Sequence, residues 1–502
     1  MRRIASATVA ALLGALACAP VAPAASRLVI KGHGYGHGIG MSQYGALGYA
    51  QHGVGYRDIL GHYYDGTTLG NLGANPDVRV LLQSGRRVVV TGAVAADDKQ
   101  LDPARTYSAR AVAGRIALYS PTGRRMATYD PPLRFASPGD GFLQLRGLAA
   151  NGLRDGRYRG ALEIGLSDRG VMAVNALDLE DYVRGVISAE SPANWPAEAL
   201  KAQAVAARSY AITTNVGTTT DGIDQYADTR SQMYKGVAAE VPTTDAAVAA
   251  TRGEVVTQGG QPVTTYFFST SGGHTENVEF SFIGALPRTW LRGVDDPYDD
   301  VSPKHTWGPF SLTGAQAQAK LKGLVRGSFR GINVLQHGSS PRIVRAEIAG
   351  TAGVTEVSGP QLRRRLGLDD TWATFTFISS SVKKPKDVPP SPAPAPAPGA
   401  GATGSPGTGS GSGGISPDGA PVSNTGGQAA TVARVRPSML TGSISRIRRG
   451  TAITLQRRDG RAWRTLRRVR VGSQGRYSAS VPGPGTYRVV WGDVTGPAVD
   501  VR

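Results

Sequence analysis

Cysteine is almost missing from this chain: of 502 residues, only Cys18 is one. It lies in an N-terminal stretch, residues 1–25, that reads as a secretory signal peptide. There Arg2 and Arg3 precede an apolar run from Ile4 to Leu16, and Ala22-Pro23-Ala24 offers a cleavage site between Ala24 and Ser26. Ala15-Leu16-Ala17 is a poor match to the Leu-small-small pattern before a lipid-modified cysteine, so acylation of Cys18 is set aside. A mature chain without cysteine forms no disulfide, holds no metal through thiolates and has no cysteine nucleophile. Long apolar runs are missing as well. The one in the signal is short for a bilayer, and no later segment reaches ~20 apolar residues, so no transmembrane span is expected after cleavage. No helix-turn-helix, zinc-finger or RRM-type aromatic signature occurs, which argues against nucleic acid as the partner. No solenoid-period repeat is present.

What the chain does have is positive charge, a formal +19 at pH 7, together with 67 glycines and 32 prolines. The charge points to an anionic partner. The length exceeds what one hydrophobic core usually serves, so two or three domains are expected. Composition marks the boundaries. Residues 382–430 are Pro, Ala, Gly and Ser with almost no large apolar side chain (PPSPAPAPAPGAGATGSPGTGSGSGG), a linker that cannot bury enough surface to order itself. Residues 431–502 read as a small β-sandwich-like domain, with alternating runs such as Ile453–Gln456 and Tyr487–Trp491 between Gly, Pro and Asp turns. It is rich in arginine, lacks lysine and has few acids: either a solvated surface or a tether to an anionic polymer. The main body, residues 26–381, has β-like runs from Val78 to Val174, then a helical stretch, strands around Gly253–Thr270 and a basic helix over Gln361–Leu366. The fold class predicted is α+β, with helices segregated from a mixed or antiparallel sheet.

The most informative stretch is Leu177–Thr214, LDLEDYVRGVISAESPANWPAEALKAQAVAARSYAITT. Asp178 suits a helix N-cap, with Glu180 and Asp181 in the first turn. Leu179, Tyr182, Val183, Val186 and Ile187 fall on one helical face. Glu190 continues that face, and Pro192 ends the helix just beyond it. Burial and the negative end of the helix dipole both raise a carboxyl pKa there, and a carboxyl still protonated near neutrality is what a general acid needs. The alternative is a carboxylate satisfied by a basic neighbour; local sequence leaves both open. A second, alanine-rich helix begins at Pro196. On it Lys201, Arg208 and Ile212 share one face, and Gln203, Ala207 and Tyr210 an adjacent one. Lys201 and Arg208 are either solvated charges or contacts to substrate, and Arg208 is open to holding Glu190 or a substrate carboxylate.

These residues carry a resemblance. YRGALEIG…MAVNALDLEDYVRGVISAESPANWPAEALKAQAVAARSYA, DTRSQMYKG, AVAATRGEVVTQGGQPVTTYFFSTSGGHTE and RRRLGLDDTWATFTF are similar to the signature of the SpoIID/LytB family and span most of Val78–Ser379. The resemblance implies an exported cell-wall protein that acts on peptidoglycan glycan strands. Family members include a lytic transglycosylase of denuded strands and a modifier of a cell-wall amidase, so both an enzyme and a non-catalytic glycan-binding partner of an amidase are implied. Its catalytic glutamate matches Glu190, its helix-borne arginine Arg208, and its Ser-x-Ser-Gly-Gly stretch Ser269, Ser271, Gly272 and Gly273. Some members bind zinc through cysteines near the segment matching DTRSQMY; Ser231 stands in that place here, so neither metal nor cofactor is expected. The domain is read as residues 26–381, with a β-rich part over 76–176 and a catalytic core over 177–381. Residues 26–75 carry GHGxGMSQYGA, a motif that normally closes the family's domain, so a circular permutation is expected.

That opening has its own physics. Glycines alternate with His33, Tyr35, His37, Ile39 and Met41; if extended, the segment puts bulky side chains on one face and bare backbone on the other. His33 and His37 would then stand ~13 Å apart, too far to share a metal. His37 and Gln43 are read as polar donors lining the cleft or bracing Glu190, against the alternative of a Gly-rich turn with surface histidines. Ser271-Gly272-Gly273-His274 lacks the G-x-S-x-G elbow of a serine hydrolase and reads better as a loop offering N–H and hydroxyl groups to a sugar or carbonyl. Tyr234, Trp195 and Tyr266 are candidate platforms for sugar rings, or core. If residues 431–502 are a tether and not a solvated surface, anionic wall polymers are what they would meet.

Overall fold

The computed structural model describes residues 25–214, 216, 222–383 and 438–501. The proposed signal peptide and the Pro/Gly/Ser-rich segment thus lie almost entirely outside the described residues. Two compact units are present: Arg27–Phe377, and a second whose described part is Ala25, Ser26, Ile378–Lys383 and residues 438–501.

The first unit is α+β. Period-2 burial builds its strands: in Asp77–Gly85, Val78, Val80 and Leu82 point inward while Asp77, Arg79 and Leu81 do not. This strand pairs antiparallel with Gly170–Asp178, which pairs with Ala161–Ser167 and then Leu133–Ala136; Gln225–Tyr226 adds the parallel member of this seven-stranded sheet. A six-stranded antiparallel sheet, including Val88–Thr91, Thr106–Val112 and Arg115–Tyr119, shares its hydrophobic core.

Five helices matter for the site: α1 (Gln43–Gln51), α2 (Tyr56–Tyr63), α3 (Leu179–Glu190), α4 (Ala197–Thr213) and α5 (Pro242–Ala250). Asp178 caps α3, its carboxylate accepting from Asp181 N at 2.9 Å. Leu179, Tyr182, Val183, Val186 and Ile187 are all buried against the sheets, each worth about 1.5–3 kcal/mol as an upper estimate. The chain leaves the helix at Ser191, extended, ahead of Pro192. Pro196 stands one residue earlier than its expected N1 place, as the extended N-cap of α4. The alanines of α4 let it approach α3 on one side and α1 and α2 on the other, so its whole central stretch is buried.

The strand Ala25–His33 pairs, from Arg27 on, with Thr306–Thr313. His33 N then donates to Trp372 O (3.0 Å) and Gly36 N to Asp369 O (3.2 Å), which docks the opening of the chain beside the RRRLGLDDTW stretch. Beyond His33 the segment is not extended. Gly34, Gly36, Gly38 and Gly40 all take positive φ, between +72° and +136°. At Gly38 a β-carbon would lie 2.5 Å from Arg342 Nε, and at Gly40 2.1 Å from Tyr266 O, so the glycines serve close approach as well as backbone hand. The expected alternation of bulky and bare faces is replaced by a coiled segment packed on both sides.

In the second unit, Ile378–Lys383 pairs with Met439–Ile444, which pairs with Arg476–Ser480. A further sheet joins Ala452–Asp459 to Ala462–Arg470 and Gly485–Trp491. The unit therefore takes its first described strand from residues ahead of the Pro-rich segment.

Candidate active site

Glu190 is the last residue of α3, partly buried, with its carboxylate facing the DTRSQMY loop. Met233 N donates to Glu190 Oε1 at 2.6 Å. That loop is held down by Gln232, which is buried: Tyr182 OH donates to Gln232 Oε1 (2.9 Å), and Gln232 Nε2 reaches Ala207 O on α4 (3.4 Å). From the opposite side comes the N-terminal segment. Met41 and Ser42 pair in parallel with Phe267 and Phe268, and Tyr44 N donates to Ser269 O at 3.0 Å. Gln43 is thereby placed so that its Nε2 donates to Glu190 O (3.1 Å) and lies 3.5 Å from Gln203 Oε1. Tyr44 meets Trp195 edge-on, ring centroids 5.1 Å apart.

Burial raises the Glu190 pKa, opposed by the Met233 N–H and the Gln43 amide; no cation ion-pairs with it among the described residues. Among the described residues, the basic neighbour that the local sequence left open is therefore missing. Two phenols share its surroundings. Tyr182 is pushed well above the ordinary tyrosine value and Tyr210 to about 12, burial first in each case and the Glu190 charge a smaller cause, so both keep their protons. Ser191 Oγ, on the residue after Glu190, and Gln203 Nε2, on the side chain that Gln43 faces, are buried and find no hydrogen-bond partner among the described residues. The arrangement presents one protonatable carboxyl with neutral polar groups around it.

Other residues singled out from the sequence stand elsewhere. Arg208 does not hold Glu190. Its guanidinium is wholly buried and grips Glu180 through two bonds of 2.9 Å, with a further bond to Glu254 O (3.0 Å). Lys201 pairs with Glu198 at 2.7 Å, and Glu198 accepts from Tyr56 N at the start of α2, so this pair ties α4 to α2. Tyr234 is buried, stacked on Tyr182 at 5.3 Å with its hydroxyl on Asn175 Oδ1, and cannot serve as a sugar platform. Tyr266 instead lines a cavity of about 710 Å³ with Ile212, Phe282, Leu286 and Trp290; Glu190 is not among its lining residues. His37 is packed among Tyr266, Phe268 and Phe282, its Nδ1 accepting from Ile39 N at 3.0 Å, and burial lowers its pKa to about 3. It is a neutral packing group and does not reach Glu190.

The Ser-Gly-Gly loop uses its donors internally. Ser271 N and Gly272 N each donate to the carboxylate of Asp299 at 2.8 Å, Gly273 N donates to Ser271 Oγ at 3.0 Å, and His274 Nδ1 contacts Thr275 O. Asp299 also accepts from Ser42 Oγ (2.8 Å), so it stitches this loop to the start of α1. Ser269 Oγ bonds Thr270. Sequence reading missed Asp299 and its neighbour Asp296, for nothing in DDPYDD separates these acids from surface ones.

Asp296 accepts from Tyr63 OH at 2.8 Å, and burial, then the charge of Asp299, raises its pKa to about 7. A folded value above the unfolded one means that the native state binds the extra proton, so stability falls as pH rises from about 4 to 7 and stays reduced above that. Asp296→Asn removes the ionisation cost. Its melting temperature should exceed the parent's at pH 8 by the equivalent of ~1–3 kcal/mol, with the gain shrinking toward pH 4. Equal melting curves at pH 8 would show that this carboxyl ionises freely in the fold.

An α+β body with a lone, neutral-flanked carboxyl at a helix end is what the fold and site define. In comparison with known proteins, residues 167–258 match the family model for SpoIID, described as stage II sporulation protein. The match supports the SpoIID family for this part of the chain. It is 32% identical over 212 residues to stage II sporulation protein D of Bacillus subtilis (strain 168), covering 39% of this chain and 60% of that protein. It is 30% identical over 211 residues to the protein of that name from Bacillus amyloliquefaciens, covering 39% and 59%. An amidase enhancer of Bacillus subtilis is 35% identical over 142 residues, covering 28% and 18%. The chain thus spans about three fifths or less of the length of these relatives. No solved structure matches it.

Proposed function

We propose that this protein is an exported cell-wall protein that cleaves peptidoglycan glycan strands as a lytic transglycosylase, with Glu190 as sole acid and base. Glu190 in its protonated form donates to the glycosidic oxygen between N-acetylmuramic acid and N-acetylglucosamine. The same carboxylate then takes the proton of the muramyl C6 hydroxyl, whose oxygen attacks C1 and closes a 1,6-anhydro ring. No water is consumed and one carboxyl suffices, whereas a hydrolase ordinarily uses two. The single observation that carries this reading is the raised pKa of Glu190 with only neutral donors bound to it.

The position of Gln43 supports the idea that residues 26–75 do the work of the motif that closes other family members, a circular permutation. A second reading, glycan binding in the service of a cell-wall amidase, is favoured by the similarity to the amidase enhancer. Mass spectrometry of sacculi digested by the purified protein separates these. Anhydro-muramyl ends are expected; reducing ends would indicate a hydrolase, and no products a glycan-binding modifier.

A further inference from the structure

The second unit carries a concentration of charge that the Glu190 site does not use. Between residues 438 and 501 stand twelve arginines and three aspartates, with no lysine or glutamate. Where these arginines point follows from the sheet. In Ala452–Asp459, Ile453 and Leu455 are buried, so Thr454, Gln456 and Arg458 face the other way. Register then brings Arg470, Arg468 and Trp463 of the neighbouring strand, and Arg488 of the strand on the other side, onto that same face. Arg488 lies over the Trp463 ring at 4.0 Å and bonds Gln456 Oε1 at 2.8 Å, which fixes the middle of the surface. Arg458 and Arg470 reach only backbone carbonyls, of Gly460 and Gly450, and neither these nor Arg468 pairs with a carboxylate among the described residues.

A face of one sign repels itself, and a surface made only for solubility intersperses both signs. Arginine rather than lysine points to planar recognition of phosphate or carboxylate. Arg468 and Arg470, two apart on one strand, stand about 7 Å from each other, so they offer forks at a repeat along an open face. None of the exposed large hydrophobic residues among those described lies between 438 and 501, so nothing is presented for insertion into a bilayer. The one aromatic ring on the face is covered by Arg488, which leaves no bare platform for nucleobases.

We propose that this face binds a linear, extended polyanion whose phosphate or carboxylate groups repeat along a non-aromatic chain. It rests on the wall-directed reading above and adds the polymer class that would hold the protein in place. The test is titration calorimetry of the full chain with two probes, a polyglycerol phosphate and a polyglucuronate, beside neutral dextran, phosphatidylglycerol vesicles and a DNA duplex. Both polyanions or one of them should bind, the tighter naming the recognised group. The triple substitution Arg458→Gln, Arg468→Gln, Arg470→Gln should weaken that binding at least tenfold and flatten its salt dependence with an unchanged melting temperature. Unchanged affinity in the triple variant overturns the proposal, as does equal binding of dextran or tighter binding of vesicles or duplex. Glu190→Gln should bind the polyanion like the parent, so a failure here and a failure of the glycan-cleaving reading are told apart.

Discussion

Glu190→Gln should leave the protein folded and reduce release of anhydro-muramyl products from sacculi by about 10²–10⁴-fold, the range for removing a general acid–base group. The glutamine keeps the shape of the side chain and can still accept from Met233 N, so the loop around it stays in place. Stability should not fall. A carboxyl whose folded pKa is raised costs stability once pH exceeds its unfolded value, and the amide escapes that cost. The melting temperature at pH 7 should therefore match or exceed the parent's. By the proposed mechanism, in which the acid form donates the first proton, cleavage by the parent should decline as pH rises through the raised Glu190 pKa. Undiminished digestion by the glutamine variant would take the chemistry away from this residue.

Arg208→Met should be the most destabilising of the substitutions considered, by about 3–5 kcal/mol, because it strands the Glu180 carboxylate without its cation. Against a typical domain stability of about 5–15 kcal/mol this is a large share. Glu180 also accepts from Gly253 N, and Arg208 donates to Glu254 O, so the pair joins α3 and α4 to the strand Glu254–Gln258. Urea denaturation reads the loss directly. The double variant Glu180→Leu with Arg208→Met should recover much of it, since the two lose their desolvation costs together. Had Arg208 served only to grip substrate, its replacement would leave the urea midpoint alone and lower affinity for glycan; a neutral midpoint would restore that role.

These two residues show how far the chain can be read without its fold. The cap at Asp178, the apolar face from Leu179 to Ile187 and the stop at Pro192 lie within one short segment, and the helical period alone puts Glu190 at the inner end of α3. The strand Asp77–Gly85 is equally legible, because alternation within nine residues encodes which side is buried, whereas Arg115–Tyr119, Ala161–Ser167 and Gly170–Asp178 are buried in continuous runs that alternation does not reveal. Arg208 was a different matter. The period shows which face of α4 it occupies, but what lies opposite depends on how α3 crosses α4, and the carboxylate met there is Glu180 and not Glu190. Likewise the Ser-Gly-Gly loop shows donors in its sequence while saying nothing of the buried Asp299 that takes them.

What sequence by itself determined is therefore the α+β class, the family signature and the helix-end acid, all set by short-range periodicity and by residue type. Only the tertiary structure decided what surrounds that acid. Gln43 reaches it across 147 residues of chain, and Met233 reaches it with a backbone N–H that every residue but proline possesses. Contacts of that kind arise from packing between distant segments and leave no local pattern to read.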